Sequence, residues 1–398
     1  MSVGEPSKRE ERRQGRVPPI MFIATFVIAG GSSLPFGVME DLRKEFELTR
    51  TSLGLVASAA FIGALVSQML LARFADRGFA RRLVIAGAVA DVLGLIGFSI
   101  TSTTTGFVIS RFICGLAAGA LLPAVRSIVV RADPNRAATR LGELAGFEVA
   151  GFVFAPVIGA AFAGSFGVAA PFLGFAAGLA VLVPFLLATD VPEVERADSA
   201  SFDSVSVRDL LTNKHVVLVV LTSIALFLPV GIYDGLWTSY MKDIGGTRTE
   251  LLVSLIVFGL PLTALSWFGG RIVQRRGAWP VLRFTVWGVF LSTASYGVLR
   301  SPTLIILVGG LESFLQAATG PALQAAMVDA APPENLAQVQ GLALAGTQVA
   351  AAAVALVGAP VYDRYGPGPA FIGAAVLMTS LWIYVDINQR RSRAHKAI

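Results

Sequence analysis

Twelve mainly apolar stretches of about twenty residues dominate this sequence of 398 residues. A helix needs about 20 apolar residues to cross a hydrocarbon core of about 30 Å, so each stretch predicts a transmembrane helix. Charged residues make up 15% of the chain, against about a quarter in a soluble domain, which excludes a water-soluble globule. The sequence therefore predicts an all-α integral membrane protein with twelve transmembrane helices. The predicted spans are 18–39, 52–72, 83–102, 104–128, 141–163, 168–189, 216–240, 250–270, 281–299, 303–327, 338–361 and 368–386.

The reactive side chains of the sequence are too few for most kinds of catalytic or metal site. A single cysteine, Cys114, excludes an intramolecular disulfide and any cysteine-based zinc or iron–sulfur site. Two histidines, His215 and His395, leave little for a metal site or a catalytic triad. No GxxxxGK[ST] loop is present to bind the phosphates of ATP. We therefore expect no metal, no cofactor and no enzymatic activity.

Lysine and arginine are distributed unevenly between the two ends of the predicted spans. Of 32 such residues, 24 lie on the side of the two termini and 8 lie on the opposite side. Positive charge collects on the cytoplasmic side of membrane proteins, so both termini are expected in the cytoplasm of a cell (plasma or inner) membrane. The net charge of +6 then reflects orientation, and no nucleic-acid partner is expected.

A polar stretch at 190–213, rich in Ser and Asp, divides the predicted spans six and six. We interpret it as a cytoplasmic linker between an N-terminal bundle at 1–189, with a cytoplasmic tail at 1–17, and a C-terminal bundle at 214–398, with a tail at 387–398. The two halves resemble each other: KEFELTRT at 44–51 matches KDIGGTRT at 242–249, and LPFGVMEDL at 34–42 matches LPVGIYDGL at 228–236. Two parallel six-helix repeats are a known transporter plan, with the substrate held between the halves.

The loop ARFADRGFARR at 72–82 resembles the signature G-x-L-A-D-R-x-G-R-R of the major facilitator superfamily, although Ala72 replaces the first Gly and one extra residue precedes the Arg pair. The equivalent loop of the second half, GRIVQRRG at 270–277, keeps the Gly and Arg residues but has Gln274 in place of the acid. The resemblance covers essentially the whole chain and implies this superfamily's fold, two pseudo-symmetric six-helix bundles, and a monomer. It also implies a gating loop, formed here by Asp76, Arg77, Arg81, Arg82, Arg275 and Arg276. The alternative is that the arginines serve only as topology charges.

Two further motifs resemble those of the same superfamily. Gly142, Gly151, Pro156 and Gly159 follow the spacing of its antiporter motif, with Ala155 and Ala160 in place of two glycines. That motif is associated with drug–proton exporters; the alternative is generic packing of small residues. Arg111, followed by Gly115 and Gly119, resembles the superfamily's buried arginine motif, proposed to serve proton coupling. Arg111 could instead snorkel to the membrane surface.

Ionisable residues within the spans are costly and therefore point to function. Glu148 is the favoured proton carrier because its counterpart in the second half is the neutral Gln348. Asp234, beside Tyr233 and Trp237, is expected to attract a cation by charge and cation–π contact, unless it belongs to an interfacial aromatic belt. Glu312, Gln316, Gln324 and Gln348 are candidates to line the substrate cavity. Asp91 lies on a span that is peripheral in this family, so a structural pairing or a lipid-side water defect is expected there rather than a role in transport.

These features predict a secondary active transporter with alternating access. The first choice is proton-coupled export of small amphipathic or cationic compounds, with Glu148, Arg111 and Asp234 in proton coupling and Tyr233, Trp237, Glu312, Gln316 and Gln348 at the substrate. The alternative is a proton symporter or facilitator that takes up an organic acid or sugar-like metabolite. A third interpretation, a transporter-like receptor or scaffold, is disfavoured because no loop exceeds about two dozen residues.

Overall fold

The structure is a computed structural model that describes residues 17–74, 78–133, 136–189, 207–331 and 336–396. Within these ranges the chain folds into α-helices, with a 3-10 turn at Leu34–Gly37. The helices of the N-terminal half are α1 Pro19–Ser33, α2 Met39–Glu45, α3 Arg50–Phe74, α4 Ala80–Ile100, α5 Thr104–Ala132, α6 Ala137–Phe166 and α7 Ala169–Ala188. Those of the C-terminal half are α8 Val207–Thr212, α9 Lys214–Asp243, α10 Arg248–Ala264, α11 Ser266–Arg276, α12 Ala278–Val298, α13 Pro302–Ala330, α14 Leu336–Tyr365 and α15 Pro367–Lys396.

The helices agree closely with the predicted spans, with one difference in number. In the described part of the chain, ten helices are long and apolar enough to cross a bilayer, and up to eleven if α10 and α11, bent by 54° at their junction, form one span. The remaining predicted span, 281–299, coincides with the 21-residue helix α12. This helix is less apolar because it contains Arg283, which pairs with Asp386 of α15 at 2.7 Å. An arginine neutralised within the protein lowers hydropathy without preventing a helix from packing in the bundle.

Two predicted boundaries differ from the structure. The first predicted span, 18–39, ends as an α-helix at Ser33 and continues as a 3-10 turn and the short helix α2. The C-terminal tail predicted at 387–398 is mostly a continuation of α15, which runs to Lys396. Most of the predicted linker lies outside the described residues, and its last part forms α8.

The same order of helix packing occurs in both halves. In the first half α1 packs on α6, α3 on α5, and α4 on both α5 and α7. In the second half α9 packs on α14, α10 and α11 on α13, and α12 on both α13 and α15. Between the halves, α3 packs on α14 and α6 packs on α10. Each of these two contacts therefore joins the second membrane-spanning helix of one half to the fifth of the other, as the repeat of the halves requires.

Glycines set the closest of these helix contacts. A Cβ added at Gly115 of α5 would overlap the backbone of Ala60 in α3, and one at Gly119 would overlap the backbone around Ala64. The glycines of the arginine motif therefore pack against a helix, α3. Small residues at a helix interface let two backbones approach and gain van der Waals contact that a larger side chain would block.

We expect Gly115→Ala to lower the melting temperature of the purified protein, because the new methyl group meets backbone that cannot rotate away. Overpacking of this kind costs roughly 1–3 kcal/mol. The matched control is Gly174→Ala on α7, where no atom lies within 4 Å of the added Cβ. An equal melting temperature for wild type and Gly115→Ala would contradict this account of the α3–α5 contact.

Candidate functional site

The two ends of the molecule differ in the loops that they carry. We call the end with the turns at 46–49, 244–247 and 299–301 the outer end, and the opposite end, near which the described chain begins and ends, the inner end. Three groups of polar side chains lie at or beside the contact between the halves: a buried pair about two to three helical turns from the outer end, a group beside it within the second half, and a group at the outer end.

The first group is a buried ion pair that joins the two halves. Arg111 of α5 and Asp234 of α9 are both almost fully buried, and Nη2 of Arg111 lies 3.4 Å from Oδ2 of Asp234. Nη1 of Arg111 donates to the carbonyl oxygen of Ser32 at the end of α1, at 2.7 Å. Arg111 therefore does not snorkel to the surface; its guanidinium bridges α1, α5 and α9.

The second group surrounds Glu312 of α13, whose side chain is fully buried within the second half. Its carboxylate accepts hydrogen bonds from Tyr296 at 2.6 Å, Gln316 at 2.9 Å and Tyr233 at 3.3 Å. The structure thus brings together Tyr233, Glu312 and Gln316, three of the five residues predicted to line a substrate cavity. In this state the carboxylate is enclosed by its donors.

Aromatic rings cover this second group. Tyr233 stacks edge-on against Trp237 and Tyr296, with ring centroids 5.9 and 6.1 Å apart. Trp237 is partly buried and donates to the hydroxyl of Ser254 in α10. Gln348, on α14, is not in contact with this group among the described interactions, and its side-chain oxygen is buried without a hydrogen-bond partner.

Glu148, predicted to carry the proton, lies apart from the Arg111–Asp234 pair. Its carboxylate pairs with Arg126 of α5 at 2.7 Å, and its side chain is 26% exposed. Arg126 lies fifteen residues, about four helical turns, from Arg111 toward the inner end. The structure therefore separates the three predicted coupling residues into a buried pair and a partly exposed acid nearer the inner end.

The outer end is closed by arginines that reach across between the halves, a feature we call the outer latch. Arg50, at the start of α3, lies 2.5 Å from Asp243 at the end of α9 and 3.4 Å from Asp363 at the end of α14. Arg248, at the start of α10, lies 3.3 Å from Asp41 of α2 and donates to the carbonyl oxygen of Ala160 in α6. Arg50 and Arg248 are the equivalent residues of the repeated TRT.

Glu40 of α2 ties the latch to α9. Its carboxylate accepts hydrogen bonds from Arg43, Ser239 and Lys242, at 2.8, 2.7 and 3.0 Å. Burial alone would raise the pKa of Glu40, but these three donors lower the pKa from 4.5 to about 2. Because the folded pKa is depressed, the stabilisation is present above pH 4.5 and is lost as the pH falls toward 2. This part of the latch therefore stays ionised at neutral and mildly acidic pH.

A cavity of about 150 Å³ lies beneath the latch, lined by Glu40, Asp41, Lys44, Lys242 and Arg248 among others. At the inner end the packing is open instead: no atom lies within 4 Å of a Cβ added at Gly142 or Gly146 of α6 or at Gly341 of α14. Ion pairs between the halves lie at the outer end and about two to three helical turns from it. Arginines therefore close the outer end, while these three glycines at the inner end have open space around them.

The predicted gating loop is only partly described. Asp76 and Arg77 lie outside the described residues. Arg81 donates to the carbonyl oxygen of Leu187 in α7, and Arg82 lies over the ring of Phe79, so these contacts stay within the first half. Arg275 and Arg276 are exposed at the end of α11. A gating role for these residues stays a prediction.

The antiporter-like motif packs mainly on the first helix. Gly151 contacts the backbone of Phe26 in α1, the carbonyl of Pro156 contacts Gly37, and Gly159 contacts Leu34. Gly142, at the inner end, has open space around it. The motif thus lets α6 lie directly against the segment that leads from α1 to the outer latch.

Sequence reasoning missed the outer latch. The signal for the latch was present, because the repeated TRT puts an arginine at the start of the second membrane-spanning helix of each half, α3 and α10. The partners of Arg50, Asp243 and Asp363, are far away in the sequence and carried no pattern. Asp91 was expected in a structural pairing or at a lipid-side water defect; the structure buries its side chain completely, next to Gly31 of α1 and the thiol of Cys114 in α5.

Comparison with known proteins explains this arrangement. The model of the Major Facilitator Superfamily matches residues 21–303 and 232–396, which together cover nearly the whole chain. The chain belongs to the major facilitator superfamily. It is therefore a multi-pass membrane protein and a secondary transporter of a small molecule, and the predicted fold class and the absence of an enzyme family are confirmed.

Relatives of this superfamily resemble the chain to different extents. The multidrug resistance protein MdtG of Enterobacter lignolyticus is 34% identical over 158 residues, and the matched segment spans 38% of each chain. The crystal structure of the nucleoside transporter NupG has a TM-score of 0.74 at 15% identity and covers 93% of this chain and 98% of its own. A bacterial homologue of the human lysosomal transporter Spinster, in an inward-facing occupied conformation, has a TM-score of 0.72 at 13% identity, with 97% and 98% covered. The two solved structures show the superfamily fold alone.

We expect Arg50→Gln and Arg248→Gln each to favour opening of the outer end, because each removes ion pairs between the halves. A partly exposed ion pair contributes roughly 0.5–1 kcal/mol, so the open fraction should rise about two- to fivefold. The measurement is the rate at which a membrane-impermeant maleimide labels Met241→Cys, a buried position that lines the outer cavity.

The matched control for the latch is Arg300→Gln. Arg300 lies at the same end but donates only to Gly297 and Leu299 of its own half among the described hydrogen bonds. Unchanged labelling in both latch variants, or an equal rise in the Arg300 variant, would show that the latch does not hold the outer end closed.

Proposed function

We propose that this transporter exports small amphipathic or cationic compounds in exchange for protons, working as a monomer in the cell membrane with both termini in the cytoplasm. The inner end then faces the cytoplasm, in keeping with its excess of Lys and Arg. Closure of the outer end by the latch supports this direction, because a transporter of this kind takes up an intracellular substrate while its outer end is closed.

The observation that carries this proposal is the buried ion pair between Arg111 and Asp234. It joins the two halves through two buried side chains, and a buried charge without a partner is costly. A proton on Asp234 or a cationic substrate beside it would each compete with Arg111 for the same carboxylate. Proton and cation therefore exclude each other at one site, which is the physical requirement for exchange.

The surroundings of Asp234 suit a lipophilic cation. Tyr233 precedes it on α9, and Trp237 lies one turn further on, close to Tyr233. Aromatic faces attract cations and add apolar contact area. The partial similarity to MdtG, a multidrug resistance protein, supports export of such compounds.

A second candidate function is uptake of a polar metabolite by proton symport or facilitation. The Glu312 group favours this alternative, because Tyr296, Tyr233 and Gln316 around a carboxylate offer several donors and acceptors for a hydroxylated substrate. Solved transporters of nucleosides and xylose share the fold.

The experiment that separates the two functions uses inside-out membrane vesicles with an acidic interior and a pH-sensitive dye. Export by proton exchange predicts that a lipophilic cation such as tetraphenylphosphonium makes the interior more alkaline, and that vesicles without the protein do not respond. No response to a panel of cations, together with substrate-driven proton entry in right-side-out vesicles, would establish the symporter instead.

We expect Asp234→Asn to weaken tetraphenylphosphonium binding to the purified protein by at least about 30-fold. Removing one member of a buried charge pair costs roughly 2–5 kcal/mol, and the amide offers no charge to the cation. Isothermal titration calorimetry measures this constant. Wild-type affinity in the Asp234→Asn protein would exclude this carboxylate as the cation site.

We expect Glu148→Gln to leave binding intact but to abolish proton-coupled export, because Glu148 is an acid within reach of the inner solvent. The matched control is Glu143→Gln on the same helix, an exposed acid paired with Arg140. Full dye response in vesicles with Glu148→Gln would exclude Glu148 as a proton carrier.

A further inference from the structure

Asp91 of α4 is a buried acid that the proposed mechanism has not used. Its side chain has no exposed surface, and neither carboxyl oxygen has a partner of ordinary hydrogen-bond geometry. The polar side chain in contact with it is the thiol of Cys114 on α5, a weak donor. A Cβ added at Gly31 of α1 would lie 3.1 Å from Oδ2 of Asp91, so the carboxyl group faces the inside of the bundle.

One cation acts on this carboxyl group. Arg111 interacts electrostatically with Asp91 and lies on the same helix as Cys114. The other elements packed against α4 are α1, α7 and, more slightly, α3. Helices α1 and α7 carry no ionisable side chain. The ionisable side chain of α3 that the structure describes, Arg50, is paired in the outer latch. Arg111 therefore faces two acids, Asp91 of its own half and Asp234 of the other.

The charges of these three side chains do not balance without a proton. Two carboxylates and one guanidinium, all ionised, would leave one negative charge in the bilayer core. An isolated carboxylate in such surroundings is too costly and is instead held neutral. Asp234 lies against Arg111, so the neutral acid is Asp91, and the cluster holds one proton.

The cluster also has unused hydrogen-bonding groups. Nε of Arg111 and Oδ1 of Asp234 are buried without partners. A guanidinium has five donor hydrogens in a planar fork, so Nε is free to serve a second carboxylate. Arg111 therefore has donor capacity for a second carboxylate, and Asp91 is an acid with which it interacts electrostatically.

We propose that Asp91 is a proton-binding residue of the transport cycle and that Arg111 exchanges its partner between Asp234 and Asp91. This inference rests on the proposed proton-coupled function. With the outer end closed, the proton is on Asp91 and Arg111 pairs with Asp234. When the halves part, Asp234 leaves with α9 and Arg111 pairs with Asp91, which lies in its own half.

The proton balance is the same in both states. On opening, the O–H bond of Asp91 breaks, its proton leaves to the solvent that enters between the halves, and Asp234 takes up one proton from that solvent to form an O–H bond. On closing, the O–H bond of Asp234 breaks and its proton leaves to the same solvent, Asp91 takes up one proton to form its O–H bond again, and Arg111 returns to Asp234. The cluster stays neutral with one proton throughout, so neither state leaves an unpaired charge in the membrane.

The test is infrared spectroscopy of the purified, substrate-free protein, which separates the carbonyl stretch of a protonated carboxyl group from that of a carboxylate. We expect Asp91→Asn to lose one protonated-carboxyl band, since asparagine matches the neutral acid in shape. The control is Asp386→Asn, whose carboxylate pairs with Arg283 and Arg390 and so contributes no such band. An unchanged band in Asp91→Asn would overturn the assignment.

A second variant tests the exchange of partners. In Asp234→Asn, Asp91 is intact but Arg111 has lost its other acid, so Arg111 should pair with Asp91 and remove the band. A full-intensity band in Asp234→Asn would overturn the exchange, even where Asp91→Asn fails to fold. The spectra do not depend on transport: the expected bands with no dye response in vesicles would refute proton-coupled export and leave the proton on Asp91 standing.

Discussion

A charged side chain in the hydrocarbon core must be neutralised within the protein, and this requirement organises the centre of the molecule. Arg111 cannot reach water, because its side chain is 3% exposed. It is held by the Ser32 carbonyl oxygen of its own half and by Asp234 of the other. A close helix contact follows from the same helix, because Gly115 and Gly119, about one and two turns after Arg111, let α3 approach α5. The neutralising pair thereby becomes a link between two halves that must separate for transport.

The twofold repetition of the chain supplies the closure at the outer end. In each half an arginine stands at the start of the second membrane-spanning helix, α3 or α10, and each arginine contacts the opposite half at two places. One repeated sequence motif, TRT, therefore supplies both arginines of the outer latch. The pair of Arg126 and Glu148, nearer the inner end, instead joins two helices of the first half and is partly exposed. An ion pair near water is worth less than a buried one, so the outer latch can open at modest cost.

The fold and the sites were predictable to different degrees. Apolar length sets the spans, and Lys and Arg set their expected orientation. The neutralisation of Arg283 in α12 was not predicted, because its partner Asp386 lies about a hundred positions away in the sequence. Charged residues within apolar stretches can be recognised in one sequence, so Asp234, Glu312 and Glu148 were predicted as functional residues. Their partners were not visible, since a rotation of a few tens of degrees changes the face that a helix presents, and one sequence does not specify that rotation.

The sequence by itself determined that the chain crosses a membrane many times, that its halves repeat, and that a few charges are placed where they are costly. Only the tertiary structure decided that Arg111 pairs with Asp234 across the halves, that Arg50 and Arg248 close the outer end, and that Asp91 is enclosed without a strong donor. The reason is physical. The length and the charge of an apolar stretch are properties of one segment of the sequence. The neutralisation of a buried charge depends instead on the side chains that packing brings within a few ångströms of it.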